Sequence, residues 1–246
     1  MRDYAQEKQR RVAFLRHALE ESGAKGFVFG NSGGKDSALC GILCKAACER
    51  TVGIVLPCAS KQNFGSDMQD GLKVAEAFGI ETRTVDLTPV RSALTGVLGG
   101  EDTLVADALN NIAPRLRMTA LYTVAANEKL LVVGTGNRCE AFLGYFTKWG
   151  DGAYDVNPIA DLMVSEVYDF LRFLGAPQSI IDKAPSAGLY EGQTDEKEMG
   201  VSYAEVERYL KGQQTDARAR EIIARYHARS EHKRRMPLCY SGDELL

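Results

Sequence analysis

Hydrophobic positions change period several times along the chain. Val12, Leu15 and Leu19 recur at helical spacing within a charged stretch, which predicts an amphipathic N-terminal helix. Phe27, Val28 and Phe29 then form a short apolar run between Gly26 and Gly30, the pattern of a buried strand. A polar, glycine-rich turn over 31–37 leads into an apolar helix ending near Arg50. Further strands are predicted over 51–56, stopped by Pro57, over 80–85 and over 130–133. A helix over 66–78 is predicted to end at Gly79 as a left-handed C-cap, and helical pattern dominates 104–127. Beyond residue 144 the chain is loop-rich and then helical, at 162–174, 203–210 and 216–228. Short buried strands alternating with helices predict an α/β fold, an open, mainly parallel twisted sheet with helices on both faces. Such sheets bind ligands at the carboxyl ends of their strands, where this chain puts its glycine-rich turns. No repeat or Pro/Gly/Ser linker divides the sequence, so a single domain over residues 1–246 is expected.

Composition narrows the class. Hydrophobic residues make up 45% and charged residues 26%, which excludes collagen-like and disordered chains. With 33 acidic against 30 basic residues the net charge is −3, so no global basic field favours nucleic acid or a membrane surface. No apolar run is long enough to span a bilayer, and the charged N-terminus lacks a signal-peptide block. Cys40, Cys44, Cys48, Cys58, Cys139 and Cys239 contain no CxxC spacing, which points to a reduced, cytoplasmic setting. Cys40, Cys44 and Cys48 recur every four residues and read as small hydrophobes facing the sheet more readily than as a thiol site. Met199, Trp149 and the scattered tyrosines are expected to be packing residues.

The turn after the first strand carries the chemistry. Gly33 and Gly34 let backbone N–H groups turn inward as an anion nest, and the following helix N-terminus adds partial positive charge. Ser32 and Ser37 can donate to phosphate oxygens, and Asp36 suits a Mg²⁺ ion riding on those phosphates. A plain βα turn with an ordinary cap needs neither the paired glycines nor both serines. A P-loop is excluded because Phe29 and Asp36 stand where Gly and Ser or Thr are required, and Cys139 breaks the dinucleotide fingerprint of 134–139. The pattern SGGxDS resembles the pyrophosphate loop (PP-loop) of the ATP pyrophosphatase superfamily, whose members split ATP between the α and β phosphates.

Six further segments sharpen that resemblance: NIAPRLRM at 111–118, VGTGNRCE at 133–140, GYFTKWGDG at 144–152, NPIADL at 157–162, PSAGLYEGQTDE at 185–196 and EHKR at 231–234. In order and content they resemble ammonia-dependent NAD synthetase over essentially the whole chain. The family adenylates the nicotinate carboxylate of deamido-NAD with ATP, and ammonia then displaces AMP. The resemblance implies that Gly30, Asn31, Ser32, Gly33, Gly34, Lys35, Asp36 and Ser37 hold ATP, with Thr135 and Ser186 adding contacts. It implies Mg²⁺ on Asp36 and Glu140, and deamido-NAD on Arg115, Lys148, Asp155, His232 and Lys233. Asp151 would position ammonia or take its proton. Each has a plainer rival: Glu140 as a helix cap, Asp151 as a loop turn, Arg115 in a surface ion pair, and His232 and Lys233 on a solvated helix face.

One position departs from the family pattern. A lysine usually follows Pro-Ile-x-Asp-Leu in the next helix, and Val164 stands in its place. Lys35 or Lys183 is expected to supply the missing charge at the phosphates. Residues 183–198 are expected to form a loop that closes over ATP. The resemblance also implies a homodimer with the 104–127 helix at its interface. Glutamine-using relatives carry an additional amidase domain. All 246 residues here match the synthetase region, so free ammonia is the expected donor, with no N-terminal glutaminase domain. Competing readings are another PP-loop adenylating enzyme, of the tRNA thiolation or GMP synthetase type, or a non-catalytic nucleotide sensor.

Overall fold

A computed structural model describes residues 2–59, 65–183 and 194–240. In chain order the elements are α1 (Tyr4–Ser22), β1 (Phe27–Gly30), α2 (Lys35–Ala47), β2 (Thr51–Val55), α3 (Ser66–Phe78), β3 (Glu81–Thr84), α4 (Thr88–Val97), α5 (Ala106–Asn110) and α6 (Ile112–Glu128). They continue with β4 (Leu131–Val132), α7 (Arg138–Leu143), α8 (Val164–Leu174), α9 (Gln178–Ile181), α10 (Asp195–Met199), α11 (Tyr203–Leu210), α12 (Ala217–Arg229) and α13 (Glu231–Arg234). The four strands form one parallel sheet in the order β3-β2-β1-β4. β1 lies in the middle, with Phe27 opposite Thr51 on one side and Leu131 on the other.

Alternate residues of β1 feed two separate cores, as the two-residue period of a strand requires. Phe27 and Phe29 pack with Leu15 of α1, Leu39 and Leu43 of α2, and Phe170 of α8. Val28 packs on the opposite face with Met118, Leu121 and Ala125 of α6. Phe29 is held between two glycines. A Cβ on Gly41 would come within 2.5 Å of its ring, and one on Gly53 within 3.0 Å. Cys40 and Cys44 lie in the first core as packing residues, and no group of three metal-ligating side chains occurs among the described residues. Trp149 departs from the packing role expected of it. It is 58% exposed, on a left-handed residue (φ 64°) with the Lys148 ammonium over its ring.

The predicted 104–127 helix is interrupted. Asn111 separates α5 from α6, and Pro114 falls in the first turn of α6, where its missing N–H costs no helical bond. Helix α4, with Pro in its first turn, is not predicted by the hydrophobic pattern: Thr95 is its one buried residue, so no buried apolar face marks it. Helix α1 also buries a charge: Arg11 is 8% exposed and bonds Asp161, Glu7 and the Pro158 carbonyl. These contacts fasten α1 to the segment leading into α8. A third core joins Cys139 and Leu143 of α7 to Val164, Tyr203, Val206 and Ile223, so the C-terminal helices stand against the turn after β4. Among the described residues no helix is long and apolar enough to cross a membrane.

Candidate active site

A cleft of about 1040 Å³ opens at the carboxyl ends of β1 and β4. Its size stands at the top of the roughly 300–1,000 Å³ range of small-molecule sites. The glycine turn forms its floor, the 144–152 loop and the start of α6 one wall, and α12 and α13 another.

Gly33 sits at φ 70°, a left-handed conformation that glycine adopts without strain. Ser32 and Ser37 hydroxyls lie 3.0 Å apart, and Ser37 donates to the Gly34 carbonyl. Helix α2 starts with Gly34 as its N-cap and no side chain capping it. The simple side-chain-capped turn is therefore absent, and the first turn of a thirteen-residue helix lines the cleft with its N–H groups uncapped by any side chain. Asn31 is buried and donates from Nδ2 to the Gly71 carbonyl at 3.0 Å, pinning the turn to α3. Lys183, which also lines the cleft, reaches the same turn, donating to the Gly33 carbonyl (3.3 Å) and to Asp70 (3.2 Å).

Beside the turn the structure brings Asp36 and Glu140 together around Asn137. The Asn137 side-chain amide donates to Asp36 Oδ1 at 3.2 Å, and its backbone N–H donates to Glu140 Oε2 at 2.8 Å. Glu140 thus does cap α7, through a reciprocal capping box with Asn137, while it faces Asp36. Burial, then the charge of Asp36, pushes the Glu140 carboxyl well above the usual range. Lys35 is only 6% exposed, with Nζ 2.6 Å from Asp36 and 5.9 Å from the ring centroids of Tyr168 and Tyr203. Burial alone would push its ammonium down, but Asp36 and Glu140 outweigh it and hold the group protonated. Two hard carboxylates balanced by a cation suit a hard divalent metal, whose other ligands would be phosphate and water oxygens.

Val164 lies at the start of α8, buried in the third core and one helical turn before Tyr168. The Lys35 ammonium lies 5.9 Å from the ring centroid of Tyr168, a residue one turn along α8 from Val164.

The second group of expected residues also converges. Arg115 donates to the Lys148 carbonyl (3.3 Å), and Lys148 donates to the His232 carbonyl (2.8 Å). Lys233 donates to the carbonyls of Gly144 and Phe146. Among the described residues Arg115 makes no ion pair with an acidic neighbour, and Lys233 ties the 231–234 helix to the 144–152 loop, while His232 remains exposed. Asp151 accepts from the Thr147 N–H at 2.9 Å. The residue is exposed at the cleft, and partial desolvation by the loop around it raises its pKa against the opposing pull of that N–H and of Lys233.

Asp155 does not join this group. Its carboxylate accepts from the Val132 N–H (2.7 Å) and the Tyr122 hydroxyl (3.1 Å), closing the free edge of β4 outside the cleft lining. Ser186 lies outside the described residues, as does most of the expected closing loop. The end of that segment is helix α10, whose buried Asp195 accepts from the Tyr203 hydroxyl. Asn137, Asp70, Tyr168, Tyr203 and Asp195 were not singled out in the sequence. Asn137 had a signal, because Asn followed three residues later by Glu is a capping-box pattern. The others become neighbours only through long-range folding.

The NAD synthase family model matches residues 7–238. The NH(3)-dependent NAD(+) synthetase of Alkaliphilus metalliredigens (strain QYMF) is 45% identical over 246 residues, covering 96% of this chain and 98% of its own. Among solved structures, the NMN synthetase of Francisella tularensis superposes with a TM-score of 0.92 at 39% identity, over 98% of this chain and all (100%) of that one. The NH3-dependent NAD synthetase of Campylobacter jejuni follows at 0.79 and 27%, again over 98% and 100%. With an uncapped helix at the glycine turn, paired carboxylates beside it and this match over nearly its whole length, the chain belongs to the NAD synthase family and is a carbon–nitrogen ligase.

Proposed function

We propose that the protein converts deamido-NAD to NAD with ATP and ammonia, through a nicotinyl adenylate, releasing AMP and pyrophosphate. The observation that carries this reading is the placement of an anion-binding turn and a cluster of carboxylate-binding cations on one cleft. ATP phosphates take the N–H groups of the Gly33–Gly34 turn and α2, with Ser32, Ser37 and Thr135 as side-chain donors. Arg115, Lys148, His232 and Lys233 hold the nicotinate nucleotide. A nicotinate oxygen attacks the α-phosphorus, and the bond to pyrophosphate breaks. Ammonia then attacks the carbonyl carbon of the adenylate, AMP departs with the carbon–oxygen electron pair, and Asp151 accepts the nitrogen's proton. Asp36 and Glu140 would hold a Mg²⁺ ion, which when bound would offset charge on the leaving pyrophosphate. Incubation with ATP, Mg²⁺, deamido-NAD and ammonium is expected to give NAD and AMP in equal amounts. ADP in place of AMP refutes the adenylation, and faster turnover with glutamine than with ammonium refutes the nitrogen source.

A second reading keeps the reaction and shortens the substrate. The closer superposition on the Francisella NMN synthetase than on the Campylobacter enzyme favours amidation of a nicotinate mononucleotide. The ratio of kcat/KM for the two nucleotides in the same assay separates the readings.

A homodimer fits the remaining surface. Val90, Leu94, Val97 and Leu98 of α4 and its end, with Val105 before α5, are exposed large apolar residues. Apolar residues exposed along one segment support such a contact, and light scattering at micromolar concentration is expected to report twice the chain mass. A monomer refutes the dimer. All six cysteines are free, in keeping with a cytoplasmic location.

A further inference from the structure

Lys35 stands out because its ammonium occupies an oxygen of Asp36, one of the two carboxylates proposed to hold the metal. Nζ lies 2.6 Å from Asp36 Oδ2, while the other oxygen of Asp36 is taken by the Asn137 amide. Glu140 is close enough to act on the same ammonium, and its Oε2 is committed to the Asn137 N–H. The rings of Tyr168 and Tyr203 flank the group, and the side chain is almost completely withdrawn from solvent. A divalent cation on Asp36 Oδ2 and the Lys35 ammonium cannot share that oxygen, since like charges at such range repel strongly in a water-poor site.

We propose that Lys35 is a resident counter-ion that closes the Asp36–Glu140 pair to a free divalent cation, so that the metal enters together with the ATP phosphates. The incoming phosphates provide the negative charge that receives the displaced ammonium. The lysine then serves the site twice, first as a stand-in for the metal and then as a phosphate ligand. This rests on Asp36 and Glu140 being the metal-holding carboxylates.

The test is Mn²⁺ binding without nucleotide, read from the loss of the free-ion electron paramagnetic resonance signal. The wild type, Lys35→Met, Lys35→Gln, Lys35→Arg and the double variant Lys35→Met/Asp36→Asn are compared. Lys35→Met and Lys35→Gln are expected to bind Mn²⁺ at least about tenfold more tightly than the wild type, because removing one positive charge relieves a repulsion of that order. Lys35→Arg, which keeps the charge, is expected to bind as weakly as the wild type. Adding Asp36→Asn to Lys35→Met is expected to abolish the gain. Equal binding by wild type and both neutral variants, abolished by Asp36→Asn, overturns the counter-ion role but leaves the metal site standing. Binding by no form, or binding indifferent to Asp36→Asn, overturns the carboxylate pair itself and the counter-ion role with it. Two neutral variants of different shape guard against one of them failing to fold.

Discussion

Asp36→Asn is expected to lower turnover by about 100- to 1000-fold, the loss that follows when a preorganised charge at a reacting phosphate is removed. The substitution withdraws one of the two carboxylates proposed to hold Mg²⁺, and it also leaves the buried Lys35 ammonium without its 2.6 Å partner. Removing one member of a buried ion pair destabilises by about 3–5 kcal/mol when the remaining charge is not compensated. Asp36 keeps some exposure (16%) and Glu140 remains close, so the lower end of that range applies here. The two effects separate in one comparison. Glu140→Gln leaves the Lys35–Asp36 pair intact, so it is expected to lose turnover with a smaller drop in urea midpoint. Retention of more than a tenth of wild-type turnover by both variants refutes a metal held by this pair.

Asp151→Asn is expected to slow NAD formation by about 100- to 10,000-fold, the usual contribution of a general base. Adenylation does not need that base, so exchange of labelled pyrophosphate into ATP in the presence of deamido-NAD is expected to survive. The pH dependence follows from the direction of the shift. The carboxyl is raised by burial, and it accepts a proton only when ionised, so the rate rises with pH through its elevated pKa. Measured at a fixed concentration of free NH3, that acid limb is shifted upward from the usual carboxylate value and is expected to vanish in the variant. An unchanged acid limb in Asp151→Asn, or loss of pyrophosphate exchange, assigns the residue to the loop turn alone.

The legibility of the site differed from residue to residue. Asp36, Lys35 and the glycine pair sit in seven consecutive residues, where local chemistry is enough to read an anion-binding turn. Glu140 was legible as a carboxylate, but its double duty as cap and partner of Asp36 depends on Asn137, whose amide spans 101 positions of sequence. Asp155 matched the family pattern, yet its nearest donors are the Val132 N–H and the Tyr122 hydroxyl, which fasten it to the sheet edge. Val164 was legible only as a missing charge. That Lys35 places its ammonium over Tyr168, one turn along α8 from Val164, required the packing of α2 against α8.

Residue order was sufficient for the strand and helix alternation, the parallel sheet and the identity of the nucleotide turn. Each of these rests on short-range rules: strand and helix periods, glycine conformations and capping patterns act over a few residues. Tertiary packing decided which charges meet. The Lys35–Asp36–Glu140 group, the burial of Arg11, the exposure of Trp149 and the grouping of Arg115, Lys148 and Lys233 with Asp151 all depend on distant segments meeting in space. Electrostatic energy depends on distance and on solvent exclusion, and neither is defined until the chain has closed on itself.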